Sequence, residues 1–246
     1  MIGQQVRDGV ATVTVADFGP LNRYDVDFAT ELRDVVVDLA DSDAVKIIVL
    51  RADGPDFCPG LREWSDPAPV SGDDVWTVWE QAFAGSRALY QSLCFSKKVT
   101  LTAVSGACTG AGSMLVLCSD LTVAARDTTI RSPFSTVPEA NVVLAALTMR
   151  LNRAKAWMLR DSTLSSAQAM DAGLVNEVVE AGDLDAAVAR TARSVTRMPL
   201  DGVTMSKMLQ QSVLDAHGVG REFDLAGFYA TALWQARSAP EGSGRS

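Results

Sequence analysis

Short apolar runs alternate with amphipathic stretches through the first half of the chain, and helical spacing dominates the second half. Val10 to Val15, rich in Val and Thr and preceded by Asp8-Gly9, predicts a strand that ends at Phe18-Gly19-Pro20. Phe28, Leu32, Val35, Val36 and Leu39 recur at helical spacing, which predicts a helix over 25–39 with Asp25 as its N-cap. Val45 to Leu50 is almost continuously apolar, as suits a strand in the middle of a buried sheet. After a proline-containing loop over 64–72, Trp76, Trp79, Phe83 and Leu89 keep helical spacing, and the two tryptophans read as core packing ahead of ligand stacking. Val99 to Val104 predicts a further strand and Ser113 to Cys118 a helix. Beyond Leu144 the chain reads as mainly helical, with apolar stripes over 183–196 and 202–214 separated at Pro199. Strands alternating with amphipathic helices predict an α/β domain of stacked β-β-α or β-α units.

The 246 residues suffice for one domain with a large core, and no linker-like change of composition interrupts them. A formal charge of −8 argues against nucleic acid and anionic membranes as partners, because both call for a basic patch, though a phosphorylated small molecule needs only local donors. With one His, and with Cys58, Cys94, Cys108 and Cys118 at no ligand spacing, a metal site is not expected and buried free thiols are. No basic-then-apolar leader and no membrane-length apolar run is present, which predicts a soluble cytoplasmic protein.

Chemistry concentrates in Ala103-Val104-Ser105-Gly106-Ala107-Cys108-Thr109-Gly110-Ala111-Gly112-Ser113-Met114, where three small residues join a strand to a helix. A helix start offers unpaired N–H donors and a positive dipole end, so it suits an anion or a carbonyl oxygen gaining charge. A tight packing turn is the plainer alternative. A second segment, Asp56-Phe57-Cys58-Pro59-Gly60-Leu61, closes the strand over 45–50.

In this order and spacing the two segments resemble the crotonase (enoyl-CoA hydratase/isomerase) superfamily, whose members carry Phe-Cys-x-Gly-x-Asp and Ala-Val-x-Gly-x-x-x-Gly-Gly-Gly, each ending a strand. The likeness runs on through Asn22 to Tyr24, Cys118 to Ala124, Ala154-Lys155-Ala156, Leu164 to Ala169 and Gly173 to Val179, covering about residues 3–230. It implies an α/β crotonase fold: a spiral of β-β-α units over 1–195, a helical C-terminal region over 196–237 that forms trimers in the family, and a disordered tail over 238–246. It also implies a homotrimer or dimer of trimers, and an acyl-CoA or other acyl-thioester substrate with no separate cofactor. The family's closing helix is represented only by Glu241-Gly242 and is expected to be missing or shortened.

By this resemblance the backbone N–H groups of Leu61 and Ala111 form an oxyanion hole for a thioester carbonyl, with Tyr24, Gly60, Arg62, Gly110, Met114 and Phe134 around the substrate. Hydratases of the family use two glutamates, and Met114 and Phe134 stand at those positions; neither side chain moves a proton, so hydration is not expected. Glu139, in a Pro-Glu pair one turn farther on, stands near where some isomerases of the family place a single catalytic Glu. A plain helix-start carboxylate is the alternative. Arg62 replaces a usual Asp, with Glu63 and Asp66 beside it, and meets either a phosphate or carboxylate or simply solvent. Asp120 matches a structural Asp, and His217 reads as a dipole partner at a helix C-terminus. An enolate-forming isomerase or decarboxylase fits these residues, with a non-catalytic acyl-CoA binder and a C–C bond hydrolase of a β-diketone as alternatives.

Overall fold

A computed structural model describes residues 2–60, 83–137 and 139–238 of the chain. Strands β1 (Gly3–Arg7) and β2 (Val10–Val15) form an antiparallel hairpin with Asp8-Gly9 as its two-residue turn, at φ 51 and 81°. Positive φ at both turn residues matches the twist of the paired strands, and Asp-Gly tolerates it. A single helical turn, α1 (Gly19–Asn22), leads to α2 (Val26–Asp41), which Asp25 caps by accepting the Phe28 N–H at 3.0 Å, as its position predicts.

Strand β3 (Ile47–Ala52) pairs with β2, helix α3 (Ala84–Cys94) packs on α2, and β4 (Val99–Val104) pairs with β3. Next come β5 (Ala107–Cys108), α4 (Ala111–Cys118), β6 (Leu121–Ala125) and β7 (Thr129–Arg131). They are followed by α5 (Val142–Thr148), α6 (Leu151–Leu159), β8 (Thr163–Ser165), α7 (Ser166–Ala172) and β9 (Glu177–Val179). The last helices are α8 (Leu184–Thr196), α9 (Leu200–Ala216) and α10 (Val219–Ser238).

The main sheet runs β1-β2-β3-β4-β6-β9, parallel except at the hairpin, and β5-β7-β8 make a second, smaller sheet. The unbroken apolar run of β3 is explained by burial on both faces. Ile48 and Leu50 join a core with Leu32, Val36 and Leu89, while Ile47 and Val49 join Leu101, Val123 and the α8 residues Ala187, Ala192 and Val195. This is the expected α/β crotonase architecture, a spiral with a helical C-terminal region.

Helix α9 is fastened to the sheet by charge. Lys207 Nζ donates to Asp120 Oδ1 at 2.6 Å, and Asp120 Oδ2 accepts the Thr100 N–H at 2.8 Å, with the pair 7% and 11% exposed. Asp120 is therefore structural, as expected. His217 caps α9 with Nδ1 at 2.8 Å from the Val213 carbonyl, also as expected. Helix α10, by contrast, was not marked as a separate element by its apolar spacing. Its apolar residues fall on several faces, with Phe223 and Ala226 buried and Leu225, Phe228 and Tyr229 exposed.

Candidate active site

Two strand-end segments meet beside the main sheet. The Phe57 N–H donates to the Ser105 carbonyl and the Cys58 N–H to the Ala107 carbonyl, each at 2.9 Å, and the Thr109 N–H returns to the Cys58 carbonyl at 3.1 Å. Asp56 Oδ1 accepts the Ala107 N–H at 2.7 Å. This pairing carries Gly60 toward the start of α4. Gly112 permits the close approach: a Cβ there would overlap the Cys58 Cβ and sit 3.1 Å from its Sγ. Gly110, with φ 53 and ψ −115°, makes the turn into a helix whose eight residues are all buried.

Asn22 binds both segments. Its Nδ2 donates to the Gly60 carbonyl at 2.9 Å and lies 3.2 Å from Cys58 Sγ, and its Oδ1 accepts the Ala111 N–H at 2.8 Å. The Ala111 donor, expected to be open to a substrate carbonyl, thus holds an internal acceptor. Leu61, its expected companion, lies outside the described residues with Arg62, Glu63, Asp66, Trp76, Trp79, Pro138 and the tail over 239–246.

Two residues beyond Asn22, Tyr24 adopts φ 53°, the left-handed region that a bulky side chain enters at a cost of about 1–2 kcal/mol. Its ring meets Phe83 edge-on at 5.3 Å, and its buried phenol faces the carboxyl of Glu139. Glu139 has no exposed surface, so the plainer expectation of a solvated helix-start carboxylate is corrected. The turn over 133–137 delivers it: the Val137 N–H donates to the Pro133 carbonyl at 2.7 Å, and the Ala140 N–H to Val137 at 3.0 Å. Beyond it, Asn141 caps α5 through the Leu144 N–H at 2.8 Å and donates to the Val219 carbonyl at 3.0 Å. Glu222 of α10 accepts the Val142 and Val143 N–H groups at 3.0 and 2.6 Å. Both flanks of Glu139 are therefore fixed.

Ser86 Oγ lies 2.8 Å from Glu139 Oε1, and no described residue gives the buried Oε2 a hydrogen bond of ordinary geometry. Burial pushes the Glu139 carboxyl from 4.5 up to about 7, with its own N–H, Ser86 and Tyr24 offsetting part of the rise. Burial likewise raises the Tyr24 and Tyr90 phenols, with Glu139 adding to both. A carboxyl with this affinity takes and returns a proton near neutral pH at little cost. Ser86 carries no signal in the sequence, since a serine within a helix is common; Asn22 is visible there only through the family resemblance.

At the positions the resemblance gives to hydratase glutamates, Met114 is fully buried in α4 and Phe134 stacks edge-on against buried Trp157 at 6.1 Å. All four cysteines are free and buried as expected, and burial pushes Cys58 and Cys94 up to about 12, which leaves them protonated and unreactive. Among the described residues no cluster has the makings of a metal site, and no helix is long and apolar enough to cross a membrane.

A fully buried carboxyl of raised proton affinity, facing Ser86 and Tyr24, defines a candidate acid/base site within a crotonase-type fold. The Enoyl-CoA hydratase/isomerase family matches residues 5–242, and the chain belongs to it. It is 26% identical to 4-chlorobenzoyl coenzyme A dehalogenase-2 of Arthrobacter sp, over 83% of this chain and 76% of that one. It is 25% identical to 1,2-epoxyphenylacetyl-CoA isomerase of Escherichia coli (strain K12), over 96% and 91% of the two chains. A crystal structure of a probable enoyl-CoA hydratase from Mycobacterium smegmatis shares the fold with a TM-score of 0.81 at 23% identity, covering 96% of both chains.

Proposed function

We propose that this protein is an acyl-CoA isomerase in which Glu139 is the single acid/base and the start of α4 stabilises an enolate. The observation that carries the reading is the fully buried Glu139 carboxyl, poised near neutrality with one oxygen lacking a donor among the described residues. The carboxylate takes a proton from the carbon beside the thioester carbonyl, the C–H pair enters the enolate, and the same proton returns at another carbon of the conjugated system. The thioester oxygen takes the place of Asn22 Oδ1 on the Ala111 N–H, joined by Leu61 N–H. Preorganised donors of this kind are worth about a hundredfold to a thousandfold each in rate. Relatives named for acting on CoA thioesters support the substrate class. Decarboxylation forms its enolate without a base and would use Glu139 only as the acid that protonates it, whereas isomerisation uses both of its protonation states.

Exposed apolar residues on α9 (Met205, Met208, Leu209, Val213) and α10 (Leu225, Phe228, Tyr229) support assembly as a homotrimer or dimer of trimers. The test of activity is conversion of 3-hexenoyl-CoA to its 2-enoyl isomer. Glu139→Gln is expected to lower kcat by about a hundredfold to ten-thousandfold, the usual contribution of a positioned acid/base. Unchanged turnover in that variant would refute the assignment.

A further inference from the structure

We propose that Ser86 is a positioning residue that engages Glu139 Oε1 and so makes Oε2 the oxygen that exchanges a proton with substrate; this rests on Glu139 being the acid/base. Ser86 of α3 and Tyr24 of the α1–α2 turn face the carboxyl, with the Tyr90 phenol of α3 also within electrostatic reach, and its two oxygens are not equivalent. Oε1 lies 2.8 Å from the Ser86 hydroxyl, whereas Oε2 is equally buried and has no hydrogen-bond partner of ordinary geometry among the described residues. A hydrogen bond donated to one oxygen of a carboxylate lowers the proton affinity of that oxygen, so the basic lone pairs are those of Oε2.

Ser86 serves the charged and the neutral carboxyl without moving. With Glu139 ionised, the single hydroxyl proton of Ser86 points to Oε1. After Oε2 has taken the substrate proton, Oε1 remains a carbonyl acceptor and the same bond persists. Should the proton rest on Oε1 instead, it points to Ser86 Oγ, and the Ser86 proton turns to the Phe83 carbonyl, 3.2 Å away. Neither protonation state leaves the hydroxyl without a partner, and the plane of the carboxyl stays fixed while the proton is carried. Placement on α3 suits this duty, since Ser86 lies in the first turn of that helix with Phe83 as the preceding cap residue. The proton taken from carbon returns to carbon, so no other reactant enters.

The test compares Ser86→Ala with Ser86→Thr, which keeps the hydroxyl. Glutamate δ-carbon resonances of ¹³C-labelled protein, with Glu139 assigned by its loss in Glu139→Gln, report the titration without reference to turnover. Ser86→Ala is expected to raise the Glu139 midpoint by about one to two pH units, the size of a hydrogen bond to a charged group. It is also expected to move the acidic limb of the kcat/KM profile for 3-hexenoyl-CoA by the same amount, and Ser86→Thr should restore both. A Glu139 midpoint unmoved in Ser86→Ala would overturn the proposal, as would equal shifts in the Ala and Thr variants. If Glu139→Gln isomerises as fast as wild type, the acid/base reading itself fails, whatever the Ser86 titrations show.

Discussion

Replacing Glu139 with glutamine should alter how stability depends on pH, because the group titrates at different pH in the two states of the chain. The unfolded carboxyl loses its proton near 4.5, while the native one keeps it to about 7. Over that interval the native state binds the extra proton, so its stability is greatest at the acid end and falls as pH rises through the window. Each pH unit is worth 1.36 kcal/mol, which makes the total loss about 3 kcal/mol by the time Glu139 is ionised in both states. The glutamine side chain has nearly the same shape and no titration. Urea unfolding of both proteins from pH 4.5 to 8.5, at equal m, reads the difference directly, since every other ionisable group is common to both. The variant should gain about 3 kcal/mol relative to wild type across the window and be flat above it. Parallel stability curves would refute the claim that burial controls the proton affinity of Glu139.

Gly112→Ala places a methyl group on the Cys58 side chain, and thermal unfolding should show a loss of about 3 kcal/mol or more, partly recovered by Cys58→Gly in the same chain. Lys207→Met leaves the buried Asp120 carboxylate without its cation and should cost about 3–5 kcal/mol in urea unfolding, with a smaller cost when Asp120→Asn is added. Crotonyl-CoA should not be hydrated at a measurable rate, because Met114 and Phe134 offer no proton-transfer group; hydration that survives Glu139→Gln would show that another acid has been overlooked.

Patterning sufficed for the elements whose neighbours repeat its logic. Apolar continuity in Val45 to Leu50 reports burial on both faces; Asp25 and His217 mark helix ends through local hydrogen bonding, and Pro199 through its fixed φ and missing N–H, none of which needs knowledge of the fold. The converging loops were legible for a different reason: Gly110 and Gly112 are required by backbone angle and by contact, and such requirements leave their residue type in the chain. Burial of Glu139 was not legible. It depends on α3 and the turn after Asn22, separated from it by tens of residues, and nothing adjacent to a Pro-Glu pair reports that distant elements meet it. Ser86 and Asn22 belong to the same class, since each acts through partners far away in sequence.

The apolar side chains and the buried acid explain one another. A water molecule held for addition to a double bond needs polar partners, and the ring of Phe134 against Trp157, with Met114 buried in α4, supplies apolar surface at the positions where the resemblance places them. Burial raises the proton affinity of Glu139, because an ionised carboxylate there loses hydration that its own N–H and the Ser86 and Tyr24 hydroxyls only partly replace. In the proposed isomerisation the enolate is reprotonated by Glu139, which has just taken its proton. Its fate is then set by geometry: reprotonation at the original carbon regenerates substrate, and reprotonation farther along the conjugated chain isomerises it. Introducing glutamates at 114 and 134 would therefore disturb two properties together, burying carboxyls without partners and admitting the water that competes for the enolate. The pair Met114→Glu with Phe134→Glu should melt below wild type and lose 3-hexenoyl-CoA isomerisation without gaining crotonyl-CoA hydration. A double variant as stable as wild type that hydrates efficiently would show instead that the acyl site is already polar.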